Sequence, residues 1–397
     1  MEQVSKRVAN LAASQTVAMN TKTQELQAQG IDIINLTVGE PDFPTPPHIK
    51  EAAKKAIDNN FSYYTPVAGY KDLREAIVKK MKDENGLDYS FQQVIVSNGA
   101  KHSLANALMC LIDPGDEVII PAPYWVSYAE LVKLAEGVNI IIPTTMENDW
   151  KATATDIEKA ITPKTKALIL CSPSNPTGSV YTKQELAAIA KVIEKHERIF
   201  VISDEVYEYI NYTGKHETIA QFPAIKERVV LINGVSKGFA MTGWRIGFMC
   251  SALWLAKAAD KLQSQMTTGP SSISQKAALG GYLADRSYSM EMTKAFLRRR
   301  DLVLKGLDEI PGIRYSKPTG AFYVFPDVSA YYGKRDGDKV IKNSDDLALY
   351  LLEKGFVATV AGSAFGEDKC IRLSYANSDE KLLKAVKQMK EALAALK

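Results

Sequence analysis

Between residues 90 and 250 the chain alternates in a way that leaves few folds open. Short β-branched runs sit at 93–96, 117–120, 138–142, 167–171, 199–203, 229–232 and 246–250. Helical patterning fills the gaps at 101–112, 124–135, 155–161 and 183–197. Strand–helix alternation of this kind predicts an α/β fold, a mostly parallel sheet with helices on both faces. The flanks read differently. A helical stretch from Thr21 to Gln29 is stopped by Gly30, a strand-like run covers 31–38, and Pro41, Pro44, Pro46 and Pro47 break regular structure. Helical patterning follows at 48–59 and 71–85. Residues 252–310 read as helical. Beyond Pro311 and Gly312, strands near 313–315, 321–325, 356–360 and 370–374 mix with helices at 344–354 and 379–396. Tyr331 to Asp338 reads as an exposed, mobile loop.

At 397 residues the chain is too long for one compact core. A formal charge of +3 is close to neutral for this size and gives no basic stripe for nucleic acid. Cys110, Cys171, Cys250 and Cys370 are far apart, which predicts isolated buried thiols rather than a disulfide framework. The four histidines show no paired spacing, so no metal site is expected. The first residues lack an apolar signal region and no run of about 18 apolar residues exists. The expectation is a cytoplasmic protein without membrane partners.

Four motifs carry chemistry. Ser236 and Lys237 stand side by side, Arg245 follows eight positions after Lys237, and glycines occupy 238, 243 and 247. A hydroxyl, a lysine and an arginine on a glycine-bearing turn could grip a phosphate and leave one amine for carbonyl chemistry, which is what pyridoxal phosphate requires. Gly99, Ala100 and Lys101 follow a strand and open a helix, which makes them either a phosphate cradle or an ordinary turn. Asn175 lies in a loop with Pro173, Pro176 and Gly178 after an apolar strand, as a ligand donor or a structural turn residue. Asp204 ends another apolar strand, where a carboxylate is costly unless it meets a cation. It is placed to hold a pyridinium proton, with a metal-binding strand end as the rival reading, and Tyr207 lies just beyond.

Taken in order, these motifs resemble the class I pyridoxal-phosphate aminotransferases, within the fold-type-I pyridoxal enzymes. The resemblance covers almost the whole chain, from Leu36–Phe43 through Tyr64–Gly69, Leu73–Ala76, Ser174–Gly178, Asp204–Tyr207 and Ser236–Arg245 to Ile371–Tyr375. Asp113–Val118, Pro123–Tyr128 and Ala240–Gly247 are similar to the shorter bacterial aspartate aminotransferases.

The resemblance implies a large doubly wound domain over 47–285 that binds pyridoxal 5′-phosphate. It also implies a smaller α+β domain from 1–46, with its N-terminal arm, and 286–397. By the same resemblance Lys237 would bond to the cofactor and serve as general base at Cα, and Asp204 would keep the ring nitrogen protonated, itself held ionised by that cation. Tyr207 and Asn175 would bind the ring oxygen, Trp125 would stack on the ring, and Ser236, Arg245 and the Gly99–Ala100–Lys101 turn would hold the phosphate. Tyr64 would reach the phosphate of a neighbouring subunit, which implies an obligate homodimer. Among substrate contacts, Arg372 and the Gly39 N–H would take the α-carboxylate, with Trp125 and Asn175 beside it. Lys101, with Ser14 and Thr16 of the arm, would take a distal carboxylate, favouring aspartate with 2-oxoglutarate in a ping-pong transamination. Ala12 stands where relatives that accept prephenate have a basic residue, which argues against that activity. Aromatic or neutral aminotransferases and carbon–sulfur lyases share the same cofactor residues, and a pyridoxal-binding regulator shares the fold.

Overall fold

The computed structural model describes residues 4–12 and 15–397. Seven strands form one sheet: β1 (Val94–Asn98), β2 (Glu117–Ala122), β3 (Val138–Pro143), β4 (Thr165–Cys171), β5 (Phe200–Asp204), β6 (Val229–Gly234) and β7 (Ile246–Cys250). Their spatial order is β1-β7-β6-β5-β4-β2-β3. Six run parallel, and β7 is antiparallel to both neighbours, pairing Val94 with Cys250 on one side and Gly234 with Gly247 on the other. That one reversal decides where the chemistry sits. It brings the first residue of β7, and Arg245 before it, to the edge where the other strands end.

The apolar runs follow from burial on both faces. Val94 and Val96 pack into one core and Ile95 into another; Leu168 and Leu170 are opposed to Ala167 and Ile169, and Leu231 to Val230 and Ile232. A strand that alternates between two cores has no solvent face, so polar alternation is absent from its sequence.

A third core joins Ile34 and Leu36 to residues from Met292 to Leu396, with Val206, Tyr207 and Ile210 reaching in from the end of β5. It is built on an antiparallel trio of strands, Val360–Ala361, Ile371–Ser374 and Tyr323–Val324. The helix Ser287–Leu307 contributes Phe296 to this core. Its Arg299 binds Asp42 through both terminal nitrogens, at 2.7 and 3.0 Å, which ties the proline-rich segment down.

Two expectations change. The strand near 313–315 is only a single bridge between Arg314 and Asp327. The loop 331–338 is not free. Tyr331 is buried and donates to the Pro311 carbonyl, and Arg335–Asp336 pairs with Lys339–Val340 in a short hairpin. The Arg335 backbone also exchanges two hydrogen bonds with Lys397, a contact no local pattern announces.

Behind the sheet edge lies a buried polar knot. Glu208 accepts from Lys80, from Asn85 at 2.8 Å and from Asn233 of β6 at 2.7 Å. It thereby links the segment after β5 to the end of β6. Burial pushes the Glu208 carboxyl up, but Lys80, His216 and these hydrogen bonds outweigh it and leave the pKa at about 2. Its contribution is therefore fully present above the ordinary carboxylate range and fades as pH falls towards that value. Lys80→Met leaves a buried charge alone and is expected to cost about 3–5 kcal/mol in urea unfolding, with K80M/E208L recovering most of it. The gap between wild type and K80M should narrow in acid, and a pH-independent gap would contradict the assignment.

Candidate active site

The carboxyl edge of the sheet opens into a cleft of about 320 Å³. Each sequence motif arrives there for a backbone reason. β1 ends at Asn98, and Gly99, with φ of 83°, turns the chain into the helix Ala100–Leu111. β2 delivers Trp125, β4 delivers Asn175, β5 ends on Asp204, and β6 leads into Ser236 and Lys237. A Cβ on Gly247 would stand 2.2 Å from the Ala100 nitrogen, so only glycine lets the Gly99–Ala100 turn lie on β7.

Four cations face the cleft: Lys101, Lys237, Arg245 and Arg372. None of them makes an ion pair among the described residues. Lys237 donates to the Gly39 carbonyl at 2.5 Å. Burial, with Arg372 and Arg245 nearby, lowers its pKa to about 8 against the pull of Glu40 and Asp204. Arg245 donates to the carbonyls of Thr242 at 2.9 Å and Asn98 at 3.4 Å. Lys101 lies 4.9 Å from the centre of the Trp125 ring, and burial, then Arg245, lowers its pKa. Arg372 is buried, donates to Asn175 Oδ1 at 3.0 Å and the Thr37 carbonyl at 2.5 Å, and its Nε has no partner. Like charges this close repel unless an anion joins them, so the cleft is built for a ligand with several negative groups.

The same cleft holds one buried carboxylate. Asp204 accepts from the Tyr128 hydroxyl at 2.7 Å and from the Val206 N–H at 3.3 Å. The depressed pKa expected of Asp204 beside a buried cation is not what the chain alone gives it: burial pushes it up to about 6, and the two hydrogen bonds offset only part. No cationic side chain touches it among the described residues. A ligand N–H⁺ would supply the missing partner.

Tyr207 is buried, with its hydroxyl 2.8 Å from that of Tyr323, and both phenols line the cleft. Asn175 commits Oδ1 to Arg372, which leaves its NH2 as the group it offers. Gly39 lies against Tyr323, whose hydroxyl would be 2.8 Å from an added Cβ. Its visible partner is Lys237 through the carbonyl, a contact the sequence did not suggest. Ser236 lines the cleft near Arg245. Tyr64 is not brought in: it is 95% exposed, in a separate surface hollow with Tyr63 and Gly269. Ser14 lies outside the described residues. Thr16 belongs to the helix Gln15–Ala28, but its side chain lies outside the description.

Sequence reasoning assigned no role to Tyr128, Tyr323 or Thr37. Tyr128 was within reach, because it closes the Pro123–Tyr128 motif. Tyr323 was not, since it comes from a strand more than a hundred residues after Tyr207. Among the described residues no cluster of three His, Cys, Asp or Glu side chains could hold a metal ion, and no helix is long and apolar enough to cross a membrane.

Comparison with known proteins shows what the chain as a whole is similar to. The profile of the family "Aminotransferase class I and II" matches residues 31–389. A bifunctional aspartate aminotransferase and glutamate/aspartate-prephenate aminotransferase of Petunia hybrida is 47% identical over 99% of this chain and 83% of its own. An aspartate/prephenate aminotransferase of Cereibacter sphaeroides is 44% identical over 99% of both chains. Among solved structures, the aspartate aminotransferase of Rhizobium meliloti superposes with a TM-score of 0.97 at 40% identity over the full length of both chains. That of Thermus thermophilus with maleate gives 0.93 at 41%, over 99% of this chain and 100% of its own.

A lysine amine is nucleophilic only when neutral, so the lowered pKa of Lys237 has a direct readout. Without added ligand, amine-selective labelling of Lys237 should rise with a midpoint near pH 8, as read by peptide mass spectrometry. A midpoint at the ordinary lysine value would refute the electrostatic description of the cleft.

Proposed function

The chain belongs to the class I and II aminotransferases, and we propose that it uses pyridoxal 5′-phosphate to move an amino group from aspartate to 2-oxoglutarate by a ping-pong mechanism. The observation that carries this reading is the charge pattern of the cleft. Four unpaired cations and one unpaired buried carboxylate match a ligand set with a phosphate, two substrate carboxylates and one protonated ring nitrogen.

In this reading Arg245, Ser236 and the Gly99–Ala100–Lys101 turn hold the phosphate, at the start of a helix where the Ala100 and Lys101 N–H groups are left without intrahelical acceptors. Asp204 takes the ring N–H⁺, which would return its pKa to the carboxylate range or below. Tyr207 and the Asn175 amide face the ring oxygen, and Trp125 covers the ring. When bound, the cofactor supplies an aldehyde that condenses with amines and a protonated ring that accepts electrons from the substrate Cα. Arg372 takes the α-carboxylate in a bidentate pair, exchanging the Thr37 carbonyl for it. Lys101 takes the distal carboxylate. Lys237 would hold the cofactor through its amine and, with that amine free, would take up and give back the proton of the substrate Cα. A base with a pKa near the working pH is suited to both halves of that transfer.

We further assign residues 47–285 to a cofactor domain, and 1–46 with 286–397 to a smaller one. The cores around the large sheet draw on Ile49 to Tyr282, and the third core draws mainly on both flanks, which supports this division. The working unit is taken to be a homodimer in which Tyr64 completes the neighbouring site. The exposed aromatic pair Tyr63 and Tyr64 supports that reading. Ala12 offers only its N–H, to Glu130 at 2.9 Å, so the arm brings no charge at that position for a larger dicarboxylate such as prephenate.

A panel of amino donors with 2-oxoglutarate, followed by glutamate formation, tests the assignment; faster reaction with neutral or aromatic donors would remove aspartate, and ammonia release would indicate a lyase. Lys237→Ala should eliminate the visible absorption of the bound cofactor and lower transamination on the order of 10⁴-fold or more. Lys101→Ala should raise KM for aspartate about 10–100-fold more than for alanine, and equal changes would deny Lys101 the distal carboxylate.

A further inference from the structure

At the end of β1 the chain passes from strand to helix through Gly99 alone. The Ala100 and Lys101 amides point out of the first helical turn, and their direction depends on how the two preceding peptide groups are fixed. Each has one side-chain anchor. The Asn98 N–H donates to His102 Nδ1 at 3.3 Å, and the Asn98 carbonyl accepts from Arg245 at 3.4 Å. Arg245 is already part of the phosphate grip. His102 has no assigned part, and it does not line the cleft.

We infer that His102 is a positioning residue for the phosphate: its neutral imidazole reaches back from the third residue of the helix and fixes the Asn98 peptide, so that the following amides converge on the anion. The contact resembles one half of a capping box shifted by one residue: the N-cap is Gly99, and the imidazole of the third helical residue accepts from Asn98 just before it. With Nδ1 accepting, the ring proton sits on Nε2. That Nε2 is buried and has no partner. An orphaned buried donor costs stability, and an apolar side chain of similar size would remove the cost. Losing this imidazole would therefore not cost the fold, whereas a residue serving the turn would show its loss in anion binding. Burial also lowers the His102 pKa, which keeps the ring in its accepting form.

The inference rests on the Gly99–Lys101 turn being the phosphate seat, and the experiment separates the two. Dissociation constants for pyridoxal 5′-phosphate and for pyridoxal, which lacks the phosphate, are measured for wild type, His102→Leu and His102→Gln, with the thermal midpoint of each ligand-free protein. H102L should weaken pyridoxal 5′-phosphate about tenfold, leave pyridoxal unchanged, and keep or raise the midpoint. H102Q, whose amide oxygen can accept the same N–H, should restore phosphate binding. Unchanged affinities in H102L, equal losses for both ligands, or failure of H102Q to restore binding would overturn the role of His102. Wild type that binds both ligands equally would overturn the phosphate seat and this inference together. Should H102L not fold, H102A carries the same comparison.

Discussion

Everything in the cleft depends on one reversal of chain direction. Had β7 run parallel to its neighbours, Arg245 would stand at the far edge of the sheet, a strand length of roughly 15 Å away from Lys237. The antiparallel pairing of Gly234 with Gly247 closes the cleft wall instead. It places the residue before β7 beside the residues after β6, and leaves backbone room for the Gly99 turn on the outer side. The cations converge because strand ends converge, and the strand ends converge because both faces of the sheet are covered and only its edge remains free for polar groups.

That edge is held in an unfavourable state by its own residues. Burial, reinforced by Arg245, lowers the proton affinity of Lys101 and Lys237, and burial raises that of Asp204, which no cationic side chain touches among the described residues. The surrounding structure supplies the restraint: the Glu208 knot joins the segments that carry Tyr207 and Lys237, and the Arg299–Asp42 pair fixes the segment that carries Gly39. Such tension at a site is relieved by the ligand rather than by the fold, which is why the energetic cost of the charges and the affinity for a charged ligand have a common origin.

Much of this was legible in the sequence, because apolar runs end abruptly at the residues that matter. Asp204, Asn175 and Ser236 each follow a run with no polar alternation, so their place at a strand's carboxyl end could be read directly. The long-range partners could not. Tyr323 meets Tyr207, and Thr37 meets Arg372, across separations of 116 and 335 residues, and nothing local encodes either contact. The state of Asp204 was read with its cation in place, whereas the chain alone has none to give. The 331–338 segment looked free because its composition is polar, while its order comes from Tyr331 and from pairing with Lys397. Tyr64 shows a further limit, since a single chain leaves it in solvent.

The segment from Thr37 to Gly39 contributes no side chain to a cation, yet its two carbonyls hold two of them, Arg372 and Lys237. Only Val38 separates the two acceptors, so they cannot move independently. A ligand that displaced Arg372 from Thr37 would therefore act on the same short piece of backbone that holds the Lys237 amine, so one stretch of main chain restrains both cations.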